Sequence, residues 1–334
     1  MDLAAALHDD ALAAVLGRLP ARSLAASRRV CKAWRDLVDD RHGQLLLRLR
    51  ILLPHAVCGI FVNYQDHGKP HFFARPAAAT AAGPRIDGEF DFIDDQKRMW
   101  RWSRVLDHNN GLVLYTDDDL RNGSFFVCNP VTRRWKCLPR CPSGDEWRWH
   151  LHAFLVFHPA VSKHYRVLLV SRKPKKEVDG AEWPPSRWRC HEFSSRTGRW
   201  QEKVFVREGE AAGTIANLTM DYLPYSMEPR WRFSAYWQGN LYVHCHGEYV
   251  ARMSLSDATY RVIKSPIDRT VCYSDVKSFL GRSEKGVYFV AIYKWQLRVW
   301  ILDTGSSPYR AEWVLKHNRV LKPDDCYLSL IPVL

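Results

Sequence analysis

The hydrophobic pattern of this 334-residue chain changes once, at about residue 50. Residues 7–38 repeat apolar side chains at the period of an α-helix. From about residue 57 onward the chain consists of short apolar runs separated by turn residues. Helices and sheets bury their apolar faces in different ways, so we predict two domains. They are a small all-α domain at residues 1–50 and a large all-β domain at residues 51–334.

Three short helices are predicted in the first domain. Asp9 and Asp10 open the first helix, where carboxylates stabilise its positive end. One face of that helix carries apolar residues at i, i+3, i+4 and i+7: Leu12, Val15, Leu16 and Leu19. Pro20 ends it, and Leu24 gives the second helix its apolar contact. The third helix has an apolar stripe of Val30, Cys31, Trp34, Leu37 and Val38. Three helices of this size cannot bury all of that surface alone, which predicts a partner protein.

These features, in this order, resemble an F-box. The one visible departure is His8, where the family usually has proline, and it leaves the three apolar faces intact. F-box proteins dock these helices on the Skp adaptor of a Skp–cullin–F-box ubiquitin ligase. The resemblance therefore implies that the adaptor, and through it the cullin and RING subunits, are partners. The residues that it assigns to adaptor binding are Leu7, Leu12, Val15, Leu16, Leu19, Pro20, Leu24, Val30, Cys31, Trp34 and Leu37.

Sixteen strands are predicted after residue 57, rich in Val, Tyr, Phe and Trp. Their ranges are 58–64, 71–75, 111–115, 124–128, 133–138, 152–157, 165–171, 187–193, 200–206, 232–237, 241–245, 249–255, 260–264, 287–293, 297–302 and 312–315. The first two are predicted to form a hairpin. Strands at this spacing favour an all-β sandwich, barrel or propeller.

Internal repetition favours the propeller. Four times, a strand ends in a polar turn and the next strand carries an aromatic residue: Trp135, Trp200, Tyr260 and, after a longer turn, Trp313. These aromatics lie 65, 60 and 53 residues apart, more than the roughly 40 to 50 residues of a usual blade, so insertions are expected. We expect each aromatic to pack between adjacent blades. The number of blades stays open, and residues 329–333 could pair with a strand near Cys58 to close the ring.

This second domain is similar to the kelch-like, F-box-associated domains found behind F-boxes in plants. The matching elements are Asn-Pro-Val-Thr at residues 129–132 followed by Trp135 and Leu138-Pro139, Phe-His-Pro at 157–159 followed by Tyr-Arg-Val at 165–167, and Gly-Asn-Leu-Tyr at 239–242. The resemblance implies a domain that captures a target protein.

No catalytic, metal or cofactor site is predicted. The sequence contains no Gly-x-Ser-x-Gly elbow and no glycine-rich phosphate loop. The candidate metal ligands are His244 with His246, and Cys137 and Cys141 with His150 and His152, and neither set has the spacing of a common zinc module. We therefore expect a non-enzymatic protein.

The composition indicates the cellular compartment and the net charge of the two domains. Nine scattered cysteines fit a reducing compartment, and an acidic N-terminus is no secretory signal, so we expect the cytoplasm or the nucleus. No run of eighteen apolar residues indicates a membrane span. The net charge is +13, of which +10 lies beyond residue 50.

Three functional hypotheses follow. The first is a substrate-recognition subunit of a Skp–cullin–F-box ligase. The second is a basic β domain that binds nucleic acid or another acidic ligand. The third is an F-box scaffold or decoy that assembles no ligase.

Overall fold

A computed structural model describes residues 9–19, 24, 27–28, 30–39, 59–63, 68–74, 86, 88–93, 103–117, 124–142, 151–159, 161–171, 180–215, 233–245, 249–267, 276–283, 285–304 and 311–321. The chain divides into two compact units. One comprises Met1–Cys58 with His158–Lys163, and the other comprises Gly59–Phe157 with His164–Leu334.

The first unit contains helices α1 (Asp9–Leu16) and α2 (Lys32–Asp39). Leu24 and Ser27, between them, also have helical geometry. Helix α1 ends in a tight turn in which the Leu19 amide donates to the Leu16 carbonyl at 3.1 Å. The core of this unit consists of Leu12, Leu16, Leu24 and Val38. Neither α1 nor α2 is long and apolar enough to cross a membrane, and no other helix in the described residues is.

Twenty strands lie in the described part of the second unit. They are β1 (Gly59–Val62), β2 (His71–Ala74), β3 (Ser103–Asn109), β4 (Leu112–Asp117), β5 (Phe125–Asn129), β6 (Arg134–Cys137), β7 (Leu151–Val156), β8 (Arg166–Ser171), β9 (Glu182–Trp183), β10 (Arg187–Ser194), β11 (Arg199–Arg207), β12 (Gly213–Thr214), β13 (Ser234–Trp237), β14 (Asn240–Cys245), β15 (Tyr249–Ser254), β16 (Thr259–Lys264), β17 (Lys277–Ser283), β18 (Gly286–Tyr293), β19 (Gln296–Asp303) and β20 (Glu312–Val320).

Sixteen of these strands form four antiparallel meanders of four strands. Meander I is β3–β6, meander II is β7, β8, β10 and β11, meander III is β13–β16, and meander IV is β17–β20. Strands β1 and β2 form the predicted hairpin. All sixteen predicted strands are present, and the structure adds β3, β9, β12 and β17, which the sequence did not predict. The proposed closing strand at 329–333 lies outside the described residues.

Meanders II and III are joined into one eight-stranded sheet. The join is a short parallel pairing of their fourth strands, in which Val206 lies opposite Thr259 and Arg207 opposite Tyr260. Strand β9 is inserted between β8 and β10, and β12 follows β11; the two form a small separate sheet. This insertion accounts for part of the long spacing between the repeated aromatic residues.

The apolar cores lie between successive meanders. One core contains residues of meanders I and II, a second those of II and III, and a third those of III and IV. Strand β8 serves two of them, because Val167 and Leu169 belong to the first core while Leu168 and Val170 belong to the second. Alternate side chains of a strand point to opposite faces, so a continuous apolar run here indicates a sheet that is buried on both sides.

Two of the repeated tryptophans connect one meander to the one before it. The Trp200 indole nitrogen donates to the carbonyl of Pro139, which follows meander I, at 2.7 Å. The Trp313 indole nitrogen donates to the carbonyl of Lys264, the last residue of meander III, at 2.9 Å. For Trp200 and Trp313, these contacts confirm the prediction that the aromatic after the turn packs between adjacent sheets.

Tyr260 makes the corresponding contact between meanders III and II. Its buried hydroxyl donates to the Pro185 carbonyl, and its ring meets Trp188 edge-on at 5.3 Å. Trp135 in meander I is the exception, since it is largely exposed and packs at 5.9 Å on Phe126 of its own sheet.

Candidate partner-binding surfaces

Three residues assigned to adaptor binding form the core of the helical unit instead of its surface. Leu12 and Leu16 lie one turn apart on α1 and pack against Leu24, and all three are buried. A spacing of four residues places side chains on the same face of a helix. These residues therefore shape the surface from within, and their contact with an adaptor stays a prediction.

A second set of the predicted residues is exposed. Val15 keeps 52% of its surface accessible and Val30 keeps 63%, and Cys31 is also exposed. Leu19, Trp34 and Leu37 are half-buried against the core. Leu7 and Pro20 lie outside the described residues.

Val30, Cys31 and Trp34 lie along one turn at the start of α2. The Arg35 amide donates to the Cys31 carbonyl at 3.1 Å, so Cys31 is already part of the helical turn that carries Trp34. The same segment is held by an ion pair of 2.7 Å between Arg28 and Asp39. The helical unit thus presents exposed apolar side chains on a backbone that its own contacts keep in place.

The second unit contains a buried polar cluster where the first strands of its meanders meet. The Asp107 carboxylate, on β3, accepts hydrogen bonds from the Leu155 amide at 2.8 Å and the Ser234 hydroxyl at 2.9 Å. Leu155 lies on β7 and Ser234 on β13. One carboxylate therefore connects three meanders.

The neighbouring amides extend this cluster to the fourth meander. Arg282, on β17, donates to the side-chain oxygens of Asn109 at 3.1 Å and Asn110 at 3.0 Å. Asn109 in turn donates to the Leu155 carbonyl at 3.1 Å, and Asn110 to the Phe157 carbonyl at 2.7 Å. Buried polar groups with partners on several strands specify one arrangement of those strands.

The electrostatics of the cluster follow from its depth. Burial raises the pKa of Asp107 from 3.8 to about 7, and this effect outweighs the hydrogen bonds and the Arg282 charge, which lower it. The pKa of His108 lies below its ordinary value because surrounding atoms desolvate the ring and Arg282 adds positive charge nearby. Part of the His108 surface still reaches solvent, so its desolvation is incomplete.

The sequence did not single out this cluster. Residues 107–110 read Asp-His-Asn-Asn directly before Gly111, which is typical of a turn. The missed signal is that Val105, Asp107 and Asn109 alternate like residues on one face of a strand, and all three are buried.

The structure describes four of the six candidate metal ligands, namely His244, Cys137, Cys141 and His152. Among the described residues, no three His, Cys, Asp or Glu side chains lie close enough to hold a metal ion. His244 is buried, with its ring edge-on to Phe289 at 5.3 Å, and Cys137 is exposed. His246 and His150 lie outside the described residues.

A small helical unit followed by consecutive four-stranded meanders defines the class of this chain as an F-box protein with a C-terminal β-propeller. The F-box domain model matches residues 6–43. The model of the "F-box protein At3g26010-like, beta-propeller" family matches residues 92–333, and the chain belongs to that family. Both resemblances drawn from the sequence are confirmed.

Similar proteins include F-box proteins of Arabidopsis thaliana. F-box protein At5g07610 is 22% identical over 94% of this chain and 70% of its own length. F-box/kelch-repeat protein At3g61590 is 26% identical over 66% of this chain and 52% of its own length, so the chain spans about half of that relative. Among solved structures, Kluyveromyces lactis Hsv2 overlaps 80% of this chain and 72% of its own chain at 10% identity and a TM-score of 0.35, too low to support an argument.

Proposed function

We propose that this protein is the substrate receptor of a Skp–cullin–F-box ubiquitin ligase. In this proposal the helical unit binds the Skp adaptor, which brings the cullin and RING subunits, and the β-propeller binds a target protein. The observation that carries it is the match of the F-box domain to residues 6–43, within which Val15, Val30 and Cys31 are exposed on a unit whose core is already filled. Burial of apolar surface is the main favourable contribution to most protein association.

The affinity for the adaptor would come from a few side chains. Covering the accessible half of Val15 and of Val30 contributes about 1 kcal/mol each, at roughly 25 cal/mol per Å² of apolar surface. Trp34 is the strongest candidate for a central contact, since a large aromatic there often contributes about 2 kcal/mol or more.

The receptor would supply no catalytic group. Holding the target close to a ubiquitin-loaded enzyme raises the effective concentration of the two reactants. We also propose that the protein acts in the cytoplasm or the nucleus. The nine cysteines are scattered along the sequence without the spacing of a disulfide framework, which supports a reducing compartment.

The test is the affinity of the full-length chain for purified Skp adaptor, measured by calorimetry. We expect Val30→Asp and Trp34→Ala to weaken binding about tenfold or more. Val131→Asp is the matched control, because Val131 is an exposed valine in a turn of the second unit. Leu16→Asp would place a charge in the core and unfold the helices, so it serves only as a control for lost structure.

Failure of the wild-type chain to bind the adaptor would overturn the proposal. Adaptor binding without ubiquitin transfer to any bound protein, in a reconstituted ligase, would favour the scaffold instead. A bound target whose abundance rises when this protein is removed would support the substrate-receptor function.

A further inference from the structure

The turn between β18 and β19 has a conformation that its residues do not favour. Lys294 and Trp295 have φ values of 45° and 66°, in the left-handed region. Two-residue hairpin turns of this kind prefer asparagine and glycine, because a side chain in the left-handed region is strained. The corresponding turns after β3 and β13 contain glycine, at Asn110-Gly111 and Gln238-Gly239.

This strained turn also exposes its tryptophan. Trp295 keeps 52% of its surface accessible, and Val320 beside it keeps 68%. The two are held together by the Leu321 amide, which donates to the Trp295 carbonyl at 2.6 Å, and by the pairing of Gln296 with Val320. We name Trp295, Val320 and the basic residues Lys294 and Arg298 the Trp295 patch. Val320 lies opposite Gln296, and Arg298 follows two residues later on β19, so the side chains of Val320 and Arg298 lie on one face of the sheet.

Charge gives the patch a preferred partner. Its basic residues lie at the end of meander IV that carries the β18–β19 turn, where Lys277, opposite Ile292, adds further positive charge. The described acidic residues of this meander are Asp303 and Glu312, which lie opposite each other at the far end of β19. Seven residues of strand, about 23 Å, separate that end from Gln296.

We infer that the Trp295 patch binds an acidic segment of the target protein that packs an apolar side chain against Trp295. The inference rests on the proposed function, since it names the chemistry of the target that the propeller would capture. Exposed tryptophan and arginine are the residues most enriched among strong interface contacts. Backbone strain that persists at an exposed site is typical of residues kept for binding. The valine favours a protein side chain over a stacked base, which would use the indole alone.

The test starts from a phage library of random twelve-residue peptides, selected on the full-length wild-type chain. We expect the selected peptides to carry an excess of Asp and Glu around one large apolar residue. Their affinity is then measured by fluorescence anisotropy with synthetic peptides. Trp295→Ser should weaken binding about tenfold and Arg298→Glu about threefold or more. Trp135→Ser is the matched control, because Trp135 is an exposed tryptophan between Arg134 and Lys136 in an ordinary strand, and it should stay within about twofold.

A second variant separates binding from folding. Lys294→Asn combined with Trp295→Gly restores the preferred turn residues, so it should raise the melting temperature by about 2 °C or more while abolishing peptide binding. A lower melting temperature would mean that Trp295 is structural and would overturn the inference. Selected peptides without acidic excess, or equal affinity for Trp295→Ser, would also overturn it.

Two further outcomes are distinguishable. Binding of a labelled dT20 oligonucleotide that depends on Trp295 and is tighter than that of any selected peptide would replace the protein segment with single-stranded nucleic acid. Adaptor binding by the same preparations is measured in parallel. If the wild-type chain does not bind the adaptor, the proposed ligase function is overturned. If it binds the adaptor but no selected peptide, only the role of the Trp295 patch is overturned.

Discussion

Asp107 should make the stability of this protein depend on pH in an unusual direction. Burial raises the pKa of this carboxyl to about 7, whereas in the unfolded chain it ionises near its ordinary value of 3.8. Between these two values the folded protein holds a proton that the unfolded chain releases. The free energy of unfolding therefore falls as the pH rises, with the stabilisation complete below 3.8 and lost as the pH passes 7.

The size of the effect follows from the pKa difference. A shift of roughly three pKa units is equivalent to about 4 kcal/mol, of which about 2 to 3 kcal/mol is lost between pH 5 and pH 8. Asp107→Asn stays neutral at every pH and should lack this decline. Asp107 accepts hydrogen bonds from the Leu155 amide, the Ser234 hydroxyl and the His108 amide. The asparagine side chain cannot accept all three, because its amide nitrogen only donates, and this loss costs about 1 to 3 kcal/mol at every pH. We expect the variant to be less stable than the wild type at pH 5 and to match or exceed it at pH 8.

The assay is urea denaturation of wild type and variant at pH 5, 6, 7 and 8, with unfolding monitored by tryptophan fluorescence. The difference between the two proteins at each pH isolates Asp107 from other titrating groups. Asp257→Asn removes an exposed carboxylate in the turn after β15 and should follow the wild type at every pH. A difference that stays constant from pH 5 to pH 8 would refute the raised pKa. That constant difference is also what a carboxylate kept ionised by its donors would give, because it would titrate below pH 5 in both the folded and the unfolded chain.

Three further predictions use the same denaturation assay near pH 7. Trp313→Phe should lose about 1 kcal/mol, because it removes the indole hydrogen bond to the preceding meander; an unchanged midpoint would contradict that role. Leu16→Ala should lower the free energy of unfolding of the helical unit by about 2 to 5 kcal/mol, because Leu16 is buried. Val15→Ala should lower it by about 0.5 kcal/mol or less, because Val15 is exposed on the same helix, and equal losses would show that the assignment of the two faces is wrong. Gly59→Ala should cost about 1 to 3 kcal/mol, because its Cβ would lie 2.3 Å from the neighbouring phenylalanine ring, whereas Gly180→Ala meets open space and should be tolerated.

The strands that the sequence predicted share a simple pattern of apolar and aromatic residues between turns. This pattern works for β8 or β14 because both faces of those strands are buried in apolar cores. It fails for β3 and β17, which carry Asp107 and Arg282 into a polar cluster. Those polar residues suit a turn in a single sequence, and only the packing of several strands makes them part of a sheet.

The helical surface could be predicted only in outline. Periodicity placed Leu12, Val15 and Leu16 on one apolar face, and the structure buries the leucines and leaves Val15 exposed. An apolar stripe in a sequence does not distinguish residues of the core from residues of an interface, because both positions require the same apolar side chains. The Trp295 patch was not predicted, since its strain exists only in the backbone dihedral angles.

The hydrogen bonds of Trp200, Tyr260 and Trp313 all run in one direction along the chain, from a later sheet to an earlier segment. A ribosome releases the earlier segment first. Each sheet can therefore form before the aromatic side chain that fastens the next sheet to it has been synthesised. Assembly in this order can begin before the C-terminal residues have been synthesised. In a nascent chain, the last completed sheet lacks the hydrogen bond that the aromatic residue of the next sheet will donate to it.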